Sequence, residues 1–155
     1  MNSKPATAVQ YTAYLEGSLV LTAQGVWVHN GTPFANQRLS ELFSRSVVWD
    51  SQHNAYTVRI GAQQACFTCE DTPYFVMEFD PGTLQLRLSN DSHYSLALDS
   101  LRVGSSGQFY CRVAVNPGRQ DVARFSRPAH QSLLAHAVDD QHLELAGKVI
   151  KLEPL

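Results

Sequence analysis

The chain has little charge. Of its 155 residues only 17% are Asp, Glu, Lys or Arg, and the net charge is −2 with a pI near 6.3. It has no basic tract, so it offers no footprint for a nucleic-acid backbone. No apolar run approaches the ~20 residues that a membrane-spanning helix needs. The first residues, Met1-Asn2-Ser3-Lys4-Pro5, lack an apolar core, so no secretion signal is expected. Cysteine is scarce and odd in number, three in all. That fits a reducing cytoplasm better than a disulfide scaffold. Walker, dinucleotide-glycine, H-E-x-x-H and G-x-S-x-G patterns are all missing, and no metal or other cofactor is expected. What remains is a globular composition, 44% hydrophobic, long enough for one domain or two small lobes.

The most informative stretch is Gly25-Val26-Trp27-Val28-His29-Asn30-Gly31-Thr32-Pro33. Trp27 and His29 alternate with Val26 and Val28, which places the two pairs on opposite faces of a strand. Asn30-Gly31 is turn chemistry, since both residues tolerate positive φ. Thr32 and Pro33 are expected as the N-cap and first residue of a helix running to about Arg45. Ala35, Leu39, Leu42 and Phe43 form its apolar stripe.

Ser18–Thr22 and the Trp27 strand form a hairpin. After the helix come strands at 47–49, 56–60 and 65–69, the first two joined by a loop at 50–54. Glu70-Asp71-Thr72-Pro73 interrupts the pattern, because proline bars a central ladder position. The expected organisation is an arm at 1–16, an N-terminal lobe at 17–71 and a C-terminal lobe at 72–155. In the second lobe Phe75, Met77 and Phe79 alternate with Val76 and Glu78. Asp80-Pro81-Gly82-Thr83 turns the chain into Leu84, Leu86 and Leu88. Strands at 94–98, 101–103 and 109–115 follow. Asn116-Pro117 is expected to open a helical stretch to about Val138, kinked or divided at Pro128, with Leu133, Leu134, Ala137 and Val138 inward. A last hairpin turns at Ala146-Gly147. Both halves thus run strands, helix, strands, which suggests duplicated motifs.

Cys66-Phe67-Thr68-Cys69 has C-x-x-C spacing. Residues three apart on a strand face opposite ways, so a strand is expected there rather than a metal or redox site. Glu70 and Asp71 are expected to satisfy turn amides, or to accept hydrogen bonds from a ligand.

Taken together, Gly25-x-Trp27-x-His29-x-Gly31-x-Pro33, Leu42-Phe43 and Glu70-Asp71-x-Pro73-Tyr74 resemble the bacterial domain-of-unknown-function family 1285. Leu86-Arg87-Leu88-Ser89-Asn90 is similar to that family's Leu-x-Phe-x-Thr-Asn strand end, and Ala123 to Leu133 to its late helix. The resemblance spans roughly residues 19 to 152. It implies an α+β fold of two small lobes with duplicated antiparallel-strand-plus-helix motifs. The second lobe would be superficially pleckstrin-homology-like, with a binding groove between the lobes and a role in nucleotide-linked signalling. The chain departs from the family where an arginine three residues after the proline is replaced by Asn36, with Arg38 nearby. Gln63-Gln64 replaces a Glu-Lys pair, which points to a less charged ligand.

The resulting expectation is a cytoplasmic, non-enzymatic regulatory module in signal transduction. It would bind a small polar ligand, a nucleotide among the candidates, through Trp27, His29, Gly31, Thr32, Pro33, Arg38, Glu70, Asp71, Pro73, Tyr74 and Asn90. Trp27 would stack, His29 would hydrogen-bond, amides after Thr32 would receive an anion, and Arg38 would add charge. The alternatives are a protein-interaction module using a strand edge of the second lobe, or a small hydrolase pairing His29 with Glu70 or Asp71.

Overall fold

Asn30 and Gly31 decide the start of the chain's path. Both adopt positive φ, 49° and 82°, the conformation of a two-residue hairpin turn whose twist matches its flanking strands. In the computed structural model, which describes residues 11–155, this turn joins β2 (Trp27–His29) to β3 (Thr32–Pro33). Thr32 and Pro33 therefore do not open a helix. They return along β2, with Val28 opposite Pro33 and His29 opposite Thr32. The helix α1 spans Gln37–Arg45 and is capped by Asn36, whose Oδ1 accepts from the Leu39 amide at 3.2 Å. Leu39 and Phe43 are its buried residues.

The chain divides into two compact units, one through Pro73 and one at Tyr74–Leu155. The first contains two sheets. β1 (Leu19–Leu21) pairs antiparallel with β2 and parallel with β7 (Thr68–Cys69), giving the order β3-β2-β1-β7. After α1, the strands β4 (Val47–Asp50), β5 (Ala55–Ile60) and β6 (Gln63–Cys66) form an antiparallel meander. The single strand expected at 65–69 is thus two strands in two sheets. Phe67 separates them and packs its ring 5.0 Å from that of Trp27. Of the arm expected at 1–16, residues 1–10 lie outside the described residues, and 11–14 form a helical turn just before this unit's sheets.

The second unit is built on a seven-stranded sheet, in the order β10-β9-β8-β13-β12-β11-β16. β8 (Tyr74–Asp80) and β9 (Gln85–Leu88) form the expected hairpin, but a bulge between Val76 and Glu78 shifts the alternation. Phe75 and Phe79 are buried while Met77 is 38% exposed. β10 (His93–Ser95), a 3₁₀ turn at Leu98–Ser100, β11 (Arg102–Val103) and β12 (Phe109–Val113) follow.

The helix expected from Pro117 is instead a loop and then β13 (Asp121–Phe125), antiparallel to β12 and parallel to β8. Asp121, Ala123 and Phe125 are buried and alternate with half-buried Val122 and Arg124, a strand's period of two. Asn116 directs the reversal, its amide and side-chain nitrogen both donating to the Asp121 carboxylate at 3.0 and 3.2 Å. Helix α2 runs only Arg127–Leu134. Pro128 sits in its first turn, where a missing N–H costs nothing, so it starts the helix rather than kinking it. Ala129 and Leu133 are buried, whereas Leu134 and Val138 are 45% and 54% exposed, contrary to the expected stripe. β14 (His142–Leu145) and β15 (Lys148–Lys151) close through Ala146-Gly147, and β16 (Glu153–Pro154) joins β11 at the sheet edge. Mixed and antiparallel sheets with few helices make this an α+β fold.

Candidate functional site

Trp27 is not a ligand face. It is 1% exposed, with Phe34, Phe43 and Phe67 rings 6.3, 5.7 and 5.0 Å away. Its indole N–H donates to Ser44 Oγ at 3.0 Å. An indole so enclosed contributes to the core and has no free face for a base. His29, two residues on, shares that side of β2 but is only half-buried. Its Nε2–H donates to the Glu16 carbonyl at 2.7 Å, which leaves Nδ1 as the available nitrogen. The Tyr14 ring lies 5.0 Å from His29 and 4.7 Å from Phe34, and both are half-buried.

Gly31, Thr32 and Pro33 are exposed at the adjacent turn. The amides after Thr32 belong to a strand rather than a helix start, so the anion-receiving end moves to Asn36 and the first turn of α1. Arg38 is exposed in that turn.

The acidic bend stands elsewhere. Glu70 continues from β7, its amide donating to the Leu21 carbonyl at 3.0 Å. Its Oε1 accepts from the Ala23 amide at 3.1 Å, closing the β1–β2 turn. His29 lies opposite Leu19 at the other end of β1. Two strand spacings of ~4.8 Å and three residues of ~3.3 Å separate His29 from Glu70 by roughly 14 Å. Asp71 follows Glu70 at that end. A hydrolase pairing His29 with either acid is therefore overturned, as is a shared site for the two motifs.

Tyr74 is fully buried, and its hydroxyl accepts from Asn116 Nδ2 at 2.9 Å. Pro73 is buried before it. Asn90 is a turn residue whose Oδ1 accepts from the Ser92 amide at 3.1 Å and from the Ser92 hydroxyl. Cys66 is exposed on β6 and Cys69 half-buried on β7, in different sheets. Burial pushes the Cys69 thiol up to about 11 and Cys111 up to about 12, away from the thiolate that redox or metal chemistry needs. Among the described residues no group of three or more His, Cys, Asp or Glu is placed to hold a metal ion.

One constellation was not legible in the sequence. Asp50, at the end of β4, is 7% exposed. Its Oδ1 accepts from the Gln52 amide at 3.0 Å, and its Oδ2 accepts from Gln64 Nε2 at 2.8 Å and from His53 Nδ1–H. Gln64 Nε2 also donates to Thr57 Oγ1 at 2.9 Å. The His53 hydrogen bond, more than any other contact, holds the Asp50 carboxyl below its ordinary range. Residues 50–54 read locally as a hairpin loop. Only the pairing of three strands brings Gln64 to them.

Comparison with known proteins gives the fold. No family profile and no curated protein matches the chain. Two solved structures do. A DUF1285 family protein from Silicibacter pomeroyi DSS-3 superposes with a TM-score of 0.61 at 15% identity, over 90% of this chain and 81% of that one. A DUF1285 family protein from Shewanella baltica OS155 gives a TM-score of 0.55 at 14% identity, over 77% of this chain and 91% of that one. The chain shares the fold of these uncharacterised proteins. No helix among the described residues is long and apolar enough to cross a membrane.

Proposed function

We propose that this protein is a regulatory module of signal transduction that binds a small polar ligand, with nucleotides the first class to test. The observation that supports it is the Tyr14, His29 and Phe34 cluster, three half-buried rings at separations of 5.0 and 4.7 Å. Its Phe34 lies three residues ahead of α1. Part-exposed rings suit a planar base, which gains by stacking. His29 Nδ1 supplies one polar contact. The Asn36 side chain caps the Leu39 amide, and the first turn of α1, with the exposed Arg38 side chain, favours an anionic group. Gly31 and Thr32 form the rim. Trp27 lies 6.3 Å from the Phe34 ring of the cluster, and the acidic bend has no part in it.

The test is a nucleotide panel in a thermal-shift assay. A ligand at 100 times its Kd stabilises by about 2.7 kcal/mol, a rise of about 5 °C or more for a chain of this size. H29A and R38A should each weaken the shift. No shift with any nucleotide refutes the nucleotide reading.

A second reading, a protein partner, is favoured by the outer position of β10 in the seven-stranded sheet. An extended peptide would pair along that edge, and proline at Ser95, whose amide faces away from β9, would abolish its binding.

A further inference from the structure

We propose that Asp50 and His53 form a proton-transfer site that acts on a neutral carbonyl compound, such as an ester, through His53 Nε2. The geometry is built rather than incidental. A bond from the Gln52 amide to Asp50 would by itself make an ordinary Asx turn. Here the other carboxylate oxygen is also fixed, by Gln64 from β6 and by the imidazole. Gln64 is fixed in turn by Thr57, which is fully buried. The chain of contacts thus runs from a buried hydroxyl on β5 to a histidine whose side chain is 61% exposed.

A carboxylate can only accept, so His53 carries a proton on Nδ1, and its neutral form presents the Nε2 lone pair to solvent. That is the arrangement of an oriented general base. Asp50 is the positioning residue and stays ionised. Loop 50–54, Asp-Ser-Gln-His-Asn, contains no lysine or arginine, and Arg59, opposite Gln64, is a cation on that face of β5; a neutral ester is the substrate to test.

The step balances without a co-reactant other than water. His53 Nε2 takes a proton as the water oxygen bonds to the carbonyl carbon. The bond from that carbon to the leaving oxygen then breaks, its electron pair goes to that oxygen, and the imidazolium returns the proton. Ester and water become acid and alcohol. This site is separate from the Tyr14, His29 and Phe34 cluster, so either proposal survives failure of the other.

The test is hydrolysis of p-nitrophenyl acetate by the full chain across pH. Five other histidines set the background. His53→Gln removes the imidazole from the exposed loop, with Gln64 and the Gln52 amide still on Asp50, and should lower the second-order rate constant about 10-fold and change the pH profile. Asp50→Asn should also lower the rate and alter the profile. Gln64→Ala, which keeps both residues of the pair, should lower the rate by a smaller factor and covers the case in which Asp50→Asn fails to fold. A wild-type rate in His53→Gln overturns the proposal. An unchanged rate and profile in both other variants overturns the positioning role of Asp50.

Discussion

If Trp27 belongs to the core, its loss should be felt in stability rather than in binding. The indole is 1% exposed, lies against three phenylalanine rings, and holds one hydrogen bond, to Ser44 Oγ at 3.0 Å. Truncation to alanine removes most of a buried ring system and should cost about 3–5 kcal/mol. That is a large share of the 5–15 kcal/mol typical of a domain. Ser44→Ala leaves the indole N–H without its partner. The contact is only partly buried, so the cost should be at the low end of the usual range, about 1 kcal/mol. Trp27→Phe removes the N–H as well, so Ser44→Ala added to it should cost almost nothing. The double-mutant cycle therefore predicts a coupling of about 1 kcal/mol. Denaturant unfolding followed by far-UV circular dichroism reads all four proteins, and Trp49 makes fluorescence a poorer choice. Trp27→Ala within about 0.5 kcal/mol of wild type would refute the core assignment and return the indole to the binding surface.

Other outcomes follow from single features. Ala146 is exposed with φ of 52° in the last hairpin turn, where alanine is strained, so Ala146→Asn should raise unfolding stability by about 0.5–1 kcal/mol. The Asp50 carboxyl is depressed below its ordinary 3.8. Its stabilising effect should be complete above about pH 5 and lost as pH falls through the depressed value; Asp50→Asn should flatten that acid limb in pH-dependent unfolding. Iodoacetamide at pH 8 should alkylate exposed Cys66 first, because the Cys69 and Cys111 thiols are pushed up to about 11 and 12; mass spectrometry of digests checks the order.

Local chemistry made several elements legible. The Asp80–Thr83 turn, the alternating leucines of β9, the last hairpin and the end of α1 were all written in short-range pattern. The failures share a cause. Thr32-Pro33 fits a helix start taken alone, but Asn30-Gly31 had already committed the chain to a hairpin return. Asn116-Pro117 looked the same, and only the Asp121 carboxylate shows that it closes a loop. The bulge in β8 inserts a residue and reverses the phase, which strict alternation cannot anticipate, so Met77 faces out. At the site, the sequence places His29 directly before the Asn30-Gly31 turn, and the structure finds it half-buried there. Trp27 was misassigned because alternation places it on a face without saying what covers that face. The Asp50, His53, Thr57 and Gln64 constellation joins three strands and has no signature along the chain.

Phe67 has a consequence for motion. A single residue separates the end of the three-stranded sheet from the strand that completes the four-stranded one, and its ring lies against Trp27. Neither sheet can slip its register without dragging the other across that one-residue tether. Slow amide exchange should therefore release both sheets of the first unit together, as one cooperative block.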